Sequence, residues 1–179
     1  MKAVILISGN GSNLQSIINH ADKIDLQISA VISNNNTAFG LKRAKSVDIN
    51  THFIDSNIFT TKETFDSELI SIIDGLDVEL IILAGYMKIL SPIFIHHFSG
   101  KILNIHPSLL PKYPGLNTHK RAINAFEKYH GASVHFVTEE LDGGPVISQE
   151  IVTIDSKDTE ATLAKKVLEK EHILYPKVI

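Results

Sequence analysis

Unbroken apolar runs of strand length constrain this chain more than any other feature. Residues 3–7 (Ala-Val-Ile-Leu-Ile) and 80–84 (Leu-Ile-Ile-Leu-Ala) have no polar face, and residues 28–32 and 101–105 are shorter versions. Strands that bury both faces belong to parallel sheets covered by helices. Helical patterns fall between them, over residues 13–21, about 37–46, 62–74 and 92–98. In the third, Phe65, Leu69, Ile72 and Ile73 recur at i, i+4, i+7 and i+8, which is one helical face. Strand and helix alternating in this way predict right-handed βαβ crossovers and an open α/β sheet.

The pattern changes after His106. Residues 107–115 are a Pro/Gly-rich loop, and a helix is expected over 118–129. Residues 132–137 and 145–154 alternate like antiparallel strands joined through Asp142-Gly143-Gly144. The tail, residues 159–174, reads as a helix whose mixed face carries Leu163, Val167, Leu168 and Glu171. With no repeat, low-complexity segment or linker, the expectation is one domain, 1–179. Its sheet is open, mostly parallel and Rossmann-like, with helices on both faces and antiparallel strands in the C-terminal part.

Composition then removes whole classes of function. With 44% hydrophobic and 21% charged residues the chain is neither disordered nor fibrous. A net charge of −3 and no basic run argue against nucleic acid or an anionic membrane surface as partner. There is no cysteine, so disulfides, thiolate metal sites and cysteine nucleophiles are excluded. The first apolar run ends at Ser8, too short for a signal peptide, and no later run reaches membrane-spanning length. A cytoplasmic protein is expected. The nine histidines raise the question of a metal, but His96 and His97 are adjacent and point apart on a helix. No zinc-type spacing occurs, and His20, His52 and His130 read as surface or loop residues, so no metal is expected.

Ser8-Gly9-Asn10-Gly11-Ser12-Asn13 links the first strand to the first helix. Glycines let backbone approach a ligand, and a helix N-terminus offers N–H groups to an anion. The bland alternative is a Gly-rich turn that holds nothing. A dinucleotide fits poorly, because Leu14 stands at the third small position and Ser33-Asn34-Asn35-Asn36 replaces the expected ribose-binding acid. A single phosphate or mononucleotide fits better.

The strand ending Asn104-Ile105-His106-Pro107 places Asn104 and His106 on one face, with Ile105 turned inward. An amide beside an imidazole suits a developing oxyanion. It equally suits a strand end that satisfies its own loop. Asp142, in Leu141-Asp142-Gly143-Gly144-Pro145, is read either as a carboxylate exposed on a tight turn or as an Asx cap.

These segments, with Ile7-Ser8-Gly9-Asn10-Gly11-Ser12-Asn13-Leu14, Leu83-Ala84-Gly85-Tyr86-Met87-Lys88-Ile89-Leu90-Ser91 and Asn104-Ile105-His106-Pro107-Ser108-Leu109-Leu110-Pro111, resemble the phosphoribosylglycinamide formyltransferases. The resemblance runs in order to Glu171-His172 and Tyr175-Pro176. It implies a formyltransferase-type fold with a phosphate-binding half, about 1–100, and a folate and catalytic half, about 101–179. It also implies formyl transfer from 10-formyltetrahydrofolate, a co-substrate, to the amine of glycinamide ribonucleotide in purine biosynthesis. Gly11, Ser12 and Asn13 then hold the phosphate and Glu171 meets the ribonucleotide. Lys62, Met87, Lys88, Ile89, Leu90 and Asn104 contact folate. His106 is the catalytic acid, Asp142 its partner and Asn104 the third catalytic residue, with no metal. Asn104 and a protonated His106 are each expected to give the oxyanion about 2.5–4 kcal/mol, and the Asp142 charge favours the protonated imidazole.

Tyr86 and Lys88 stand where other members often have Phe and Arg, and Leu168 where a polar ribonucleotide contact can occur. Lys88 keeps a donor but loses a planar fork. The family usually continues past Tyr175-Pro176, so the 179 residues are expected to be part of a longer chain, acting as monomer or homodimer. A formyltetrahydrofolate hydrolase is the close rival, although that subgroup carries an extra N-terminal domain. A nucleotide-phosphate sensor and a plain interaction domain are the non-catalytic alternatives.

Overall fold

The computed structural model describes residues 1–179. Its strands are β1 (Lys2–Ile7), β2 (Gln27–Ser33), β3 (Thr51–Phe53), β4 (Leu80–Leu83), β5 (Ile102–His106), β6 (Tyr129–Phe136) and β7 (Val146–Thr153). The helices are α1 (Ser12–His20), α2 (Phe39–Lys45), α3 (Lys62–Asp74), α4 (Pro92–His97), α5 (Thr118–Asn124) and α6 (Glu160–Val178). The strand order is β3-β2-β1-β4-β5-β6-β7. The fold is α/β, with parallel pairing among β1 to β4 and antiparallel pairing of β6 with β7. Two compact units divide the chain, residues 1–103 and 104–179.

In the first unit β1 lies between β2 and β4, and Ala3, Val4, Ile5, Leu6 and Ile7 are wholly buried. A strand paired on both sides and covered on both faces has no use for a polar residue, which explains the unbroken apolar run. Helix α3 spans the residues expected for it, and Phe65, Leu69 and Ile73 turn inward. Its start is fixed by a reciprocal cap in which the Thr61 hydroxyl accepts from Thr64 N–H and the Thr64 hydroxyl accepts from Thr61 N–H. Helix α4 opens on Ser91, whose hydroxyl accepts from Phe94 N–H and whose own N–H donates to the buried carboxylate of Asp66 at 2.6 Å.

In the second unit, α6 packs on β6 and β7. Leu163, Val167, Glu171, Leu174 and Tyr175 form its buried side. The helix runs through Pro176 to Val178, past the expected end at 174. The expected helix over 118–129 is shorter. It ends at Asn124, Phe126 takes a left-handed conformation (φ 53°), and Tyr129 already starts β6. Strand β3 has no counterpart in the sequence reading, because three residues are too few to show a period. No helix is long and apolar enough to cross a membrane.

Candidate active site

The first unit places its Gly-rich loop where the strand order reverses, between β1 and β4. Loops at the carboxyl ends of strands diverge at such a point and leave a crevice. A cleft of about 260 Å³ lies there, lined by Ser8, Gly9, Asn10, Gly11, Ser12, Asn13, Ala84, Gly85 and Met87. Gly11 is the N-cap of α1 in the left-handed region (φ 73°), and no side chain caps the helix. The amides of a first helical turn have no acceptor within the helix, and the helix dipole adds positive potential there. Gly11, Ser12 and Asn13 are thus brought together around a cleft suited to an anion.

The residues at the end of β2 fasten this loop. Ser8 Oγ donates to Asn34 Oδ1 at 2.6 Å, and Asn35 Nδ2 donates to Ser8 O at 3.1 Å. Met87 N–H donates to Ser8 Oγ at 2.8 Å, and Ser8 N–H to Gly85 O at 3.1 Å. The polar run that excluded a ribose-binding carboxylate therefore has a structural use.

The second unit builds a tighter cluster. Asn104 and His106 leave β5 two residues apart, with Ile105 buried between them. His106 Nδ1 lies 3.3 Å from Asp142 Oδ2, both side chains 8% exposed. His106 Nε2 donates to Tyr113 O at 2.9 Å, since a carbonyl can only accept. The two ring nitrogens of His106 thus face the Asp142 carboxylate and the Tyr113 carbonyl. The Asp142 side chain is buried, so of its two sequence readings, exposed carboxylate or Asx cap, the first does not hold. Its Oδ2 accepts from Gly115 N–H at 2.8 Å, which folds the carboxylate inward and ties residue 142 (φ 53°) to the 107–117 loop.

His135 completes the cluster and has no place in the sequence reading. Its Nδ1 donates to Phe136 O at 2.9 Å, which leaves Nε2 as the acceptor for Asn104 Nδ2 at 3.1 Å. Burial lowers the His135 pKa, outweighing the Phe136 carbonyl and the Asp142 charge 3.7 Å away. A neutral His135 thus orients the Asn104 amide. Its inward position on an alternating strand was the only available signal, and a lone histidine there reads as ordinary core.

His130 lies neither at the surface nor in a loop, but buried at 1% exposure on β6. The strand alternation had placed only residues 132–137 in a sheet. Its Nε2 lies 3.2 Å from His119 Nδ1, and burial followed by the charges of His119 and His106 pushes its pKa down to about 4. The unfolded chain takes up a proton near pH 6.5, but the folded one only near pH 4. Stability from His130 is therefore complete above about pH 6.5 and falls as pH drops towards 4, by on the order of 3 kcal/mol. Urea titrations at pH 7.5 and 4.5, with wild type and His130→Gln, measure this. A pH dependence identical in both proteins would show that His130 does not titrate in this way.

The remaining expected residues divide between the units. Lys62 is exposed at the start of α3. Met87 and Ile89 are exposed, Leu90 is buried, and Lys88 Nζ sits 5.0 Å from the Phe65 ring centroid. Glu171 is buried on α6. Tyr86 carries a cost, because its hydroxyl is buried without a hydrogen-bond partner and burial, with the Asp66 charge, raises its pKa. Tyr86→Phe is expected to add about 1 kcal/mol of stability. A urea midpoint no higher than wild type would mean the hydroxyl is satisfied in solution.

With this geometry in place, comparison with known proteins gives a single answer. The Formyl transferase family profile matches residues 1–179. The chain is 51% identical to the phosphoribosylglycinamide formyltransferase of Escherichia coli, over 100% of this chain and 85% of that one. It is 39% identical to the human trifunctional purine biosynthetic protein adenosine-3, over 98% of this chain and 18% of that protein. Among solved structures, the phosphoribosylglycinamide formyltransferase of Coxiella burnetii superposes with a TM-score of 0.96 at 51% identity, over 99% of this chain and 84% of that one. Glycinamide ribonucleotide transformylase 1 of Symbiobacterium toebii does so at 0.97 with 36% identity, over 100% and 85%. The chain belongs to the formyl transferase family.

Proposed function

We propose that this protein transfers the formyl group of 10-formyltetrahydrofolate to the amine of glycinamide ribonucleotide. The observation that carries the reading is the buried Asn104–His135 and His106–Asp142 cluster in a chain of this family. In this reading residues 1–179 form one formyltransferase domain. Gly11, Ser12 and Asn13 receive the phosphate and Glu171 the ribonucleotide. Lys62, Met87, Lys88, Ile89, Leu90 and Asn104 receive folate. The protein works in the cytoplasm as a monomer or homodimer.

The amine attacks the formyl carbon, and the carbonyl oxygen becomes an oxyanion in a tetrahedral intermediate. Asn104 offers the Nδ2 hydrogen that His135 does not hold. His106 offers Nε2–H by exchanging Tyr113 O for the substrate oxygen. Asp142 holds the other side of the imidazole, so the ring keeps its direction during that exchange. The intermediate collapses as the carbon–nitrogen bond to folate breaks. One amine proton passes to the leaving nitrogen, relayed by Asp142 through water. Donors fixed before the charge develops need no reorganisation at the moment of reaction.

The test incubates the protein with 10-formyltetrahydrofolate, with and without glycinamide ribonucleotide. Folate release only with the ribonucleotide is expected. Release without it would support hydrolysis instead, and none in either tube a phosphate sensor.

A further inference from the structure

We infer that Arg43, which does not line the cleft, is the positioning residue that shapes the Gly11–Asn13 loop for the ribonucleotide phosphate; this rests on the functional reading just given.

Arg43 lies on α2, and each of its three nitrogens is committed to the loop or to α1. Nε donates to Asn10 O at 2.9 Å, Nη2 to Asn10 Oδ1 at 2.9 Å and Nη1 to Gln15 Oε1 at 3.1 Å. The guanidinium also lies 4.8 Å from the Phe39 ring centroid. Asn10 precedes the phosphate-facing residues and Gln15 follows them, so one planar group clasps the loop at both ends. A second contact from the same helix reinforces the clasp. Gly40 N–H donates to Gly9 O at 3.1 Å, and a Cβ on Gly11 would meet Gly40 Cα at 2.8 Å. The loop therefore rests backbone to backbone on α2.

Such support has a purpose at this loop. Gly11 stands in the left-handed region and has many other conformations open to it in a free loop. An anion site made of backbone amides works only if those amides already converge, because ordering them on binding subtracts from affinity. Arg43 provides that order without touching the anion. Its planar fork reaches three acceptors at once, whereas a lysine at 43 would reach one or two.

The experiment measures steady-state kinetics for both substrates, together with binding of inorganic phosphate. Arg43→Ala is expected to raise KM for glycinamide ribonucleotide about tenfold and to weaken phosphate binding by a similar factor. It should leave kcat and the folate KM within about twofold. Arg43→Lys should recover less than half of the lost affinity. Arg43→Met keeps an unbranched stem without the guanidinium and repeats the test if the alanine variant unfolds. An unchanged ribonucleotide KM would overturn the inference. A parallel rise in both KM values would do so too, as would full rescue by lysine, which would show that charge alone suffices. A wild-type protein that neither binds phosphate nor uses the ribonucleotide would sink the functional reading and this inference together. A working wild type with an equally active Arg43→Ala would sink the inference alone.

Discussion

Asp142→Asn is expected to lower kcat by on the order of 10²–10⁴-fold, the range of a positioned acid–base group, while the protein stays folded. The replacement has the same shape, and its amide oxygen can still accept from Gly115 N–H in place of Asp142 Oδ2. It carries no charge, and its NH₂ group then stands where Asp142 Oδ1 faces His135 Nε2. His106 Nδ1, now 3.3 Å from a carboxylate oxygen, would lose an anionic acceptor, and the ring could reorient away from its oxyanion task. His106→Ala should lose activity on a similar scale, because it removes the donor itself. The double variant should be little worse than either single one, since the two act as a unit. Single-turnover rates with both substrates saturating separate chemistry from binding. If Asp142→Asn turns over like wild type at every pH, the carboxylate has no part in the chemistry.

Gly131→Ala is expected to destabilise the protein by about 3 kcal/mol, the upper range for a group forced into a packed interior. Gly131 pairs with Ile151 across β6 and β7, and an added Cβ would meet Glu150 O at 2.0 Å and Leu109 Cδ2 at 2.8 Å. The first contact is with backbone of the neighbouring strand, which cannot rotate away as a side chain could. Relief would require β7 to shift from β6. That shift would disturb Gln149 Nε2, which donates to Ser133 Oγ at 2.7 Å and to Leu110 O at 2.9 Å. The loop after β5 would then lose part of its anchorage, so activity should fall along with stability. Urea denaturation followed by circular dichroism measures the effect. A wild-type midpoint would mean that β7 yields at little cost.

The sequence was most informative where burial imposes a period. Residues 3–7 could only be a strand covered on both faces, and the spacing of Phe65, Leu69, Ile72 and Ile73 marks a helix that the structure shows over Lys62–Asp74. It was least informative where tertiary contacts override local preference. Pro176 suggests a helix end, yet α6 continues for two more residues because Leu174 and Tyr175 are buried and hold the last turn in place. Phe126 is a poor candidate for a left-handed break, yet the chain turns there to begin β6.

The same division holds for the site. Asn104 and His106 were legible as a pair, because strand alternation is a local rule. The burial of Asp142 was not, because it depends on Gly115, 27 residues away. His135 was invisible for a related reason: its importance lies in which atom of Asn104 it touches, and no spacing encodes that.

The Ser8–Asn34–Asn35 latch has a consequence for what this fold could become. In dinucleotide-binding relatives of the α/β plan, the end of the second strand is reserved for an acid that reads a ribose hydroxyl. Here that site holds the amides that keep the first loop closed on itself. A carboxylate at Asn35 would do more than add a ligand group, because it would lose the Nδ2 donor to Ser8 O that helps fasten the loop meant to hold the ligand's phosphates, whereas one at Asn34 could still accept from Ser8 Oγ. A step from this chain towards a ribose-reading acid thus keeps the loop fastened at position 34 and loosens it at position 35.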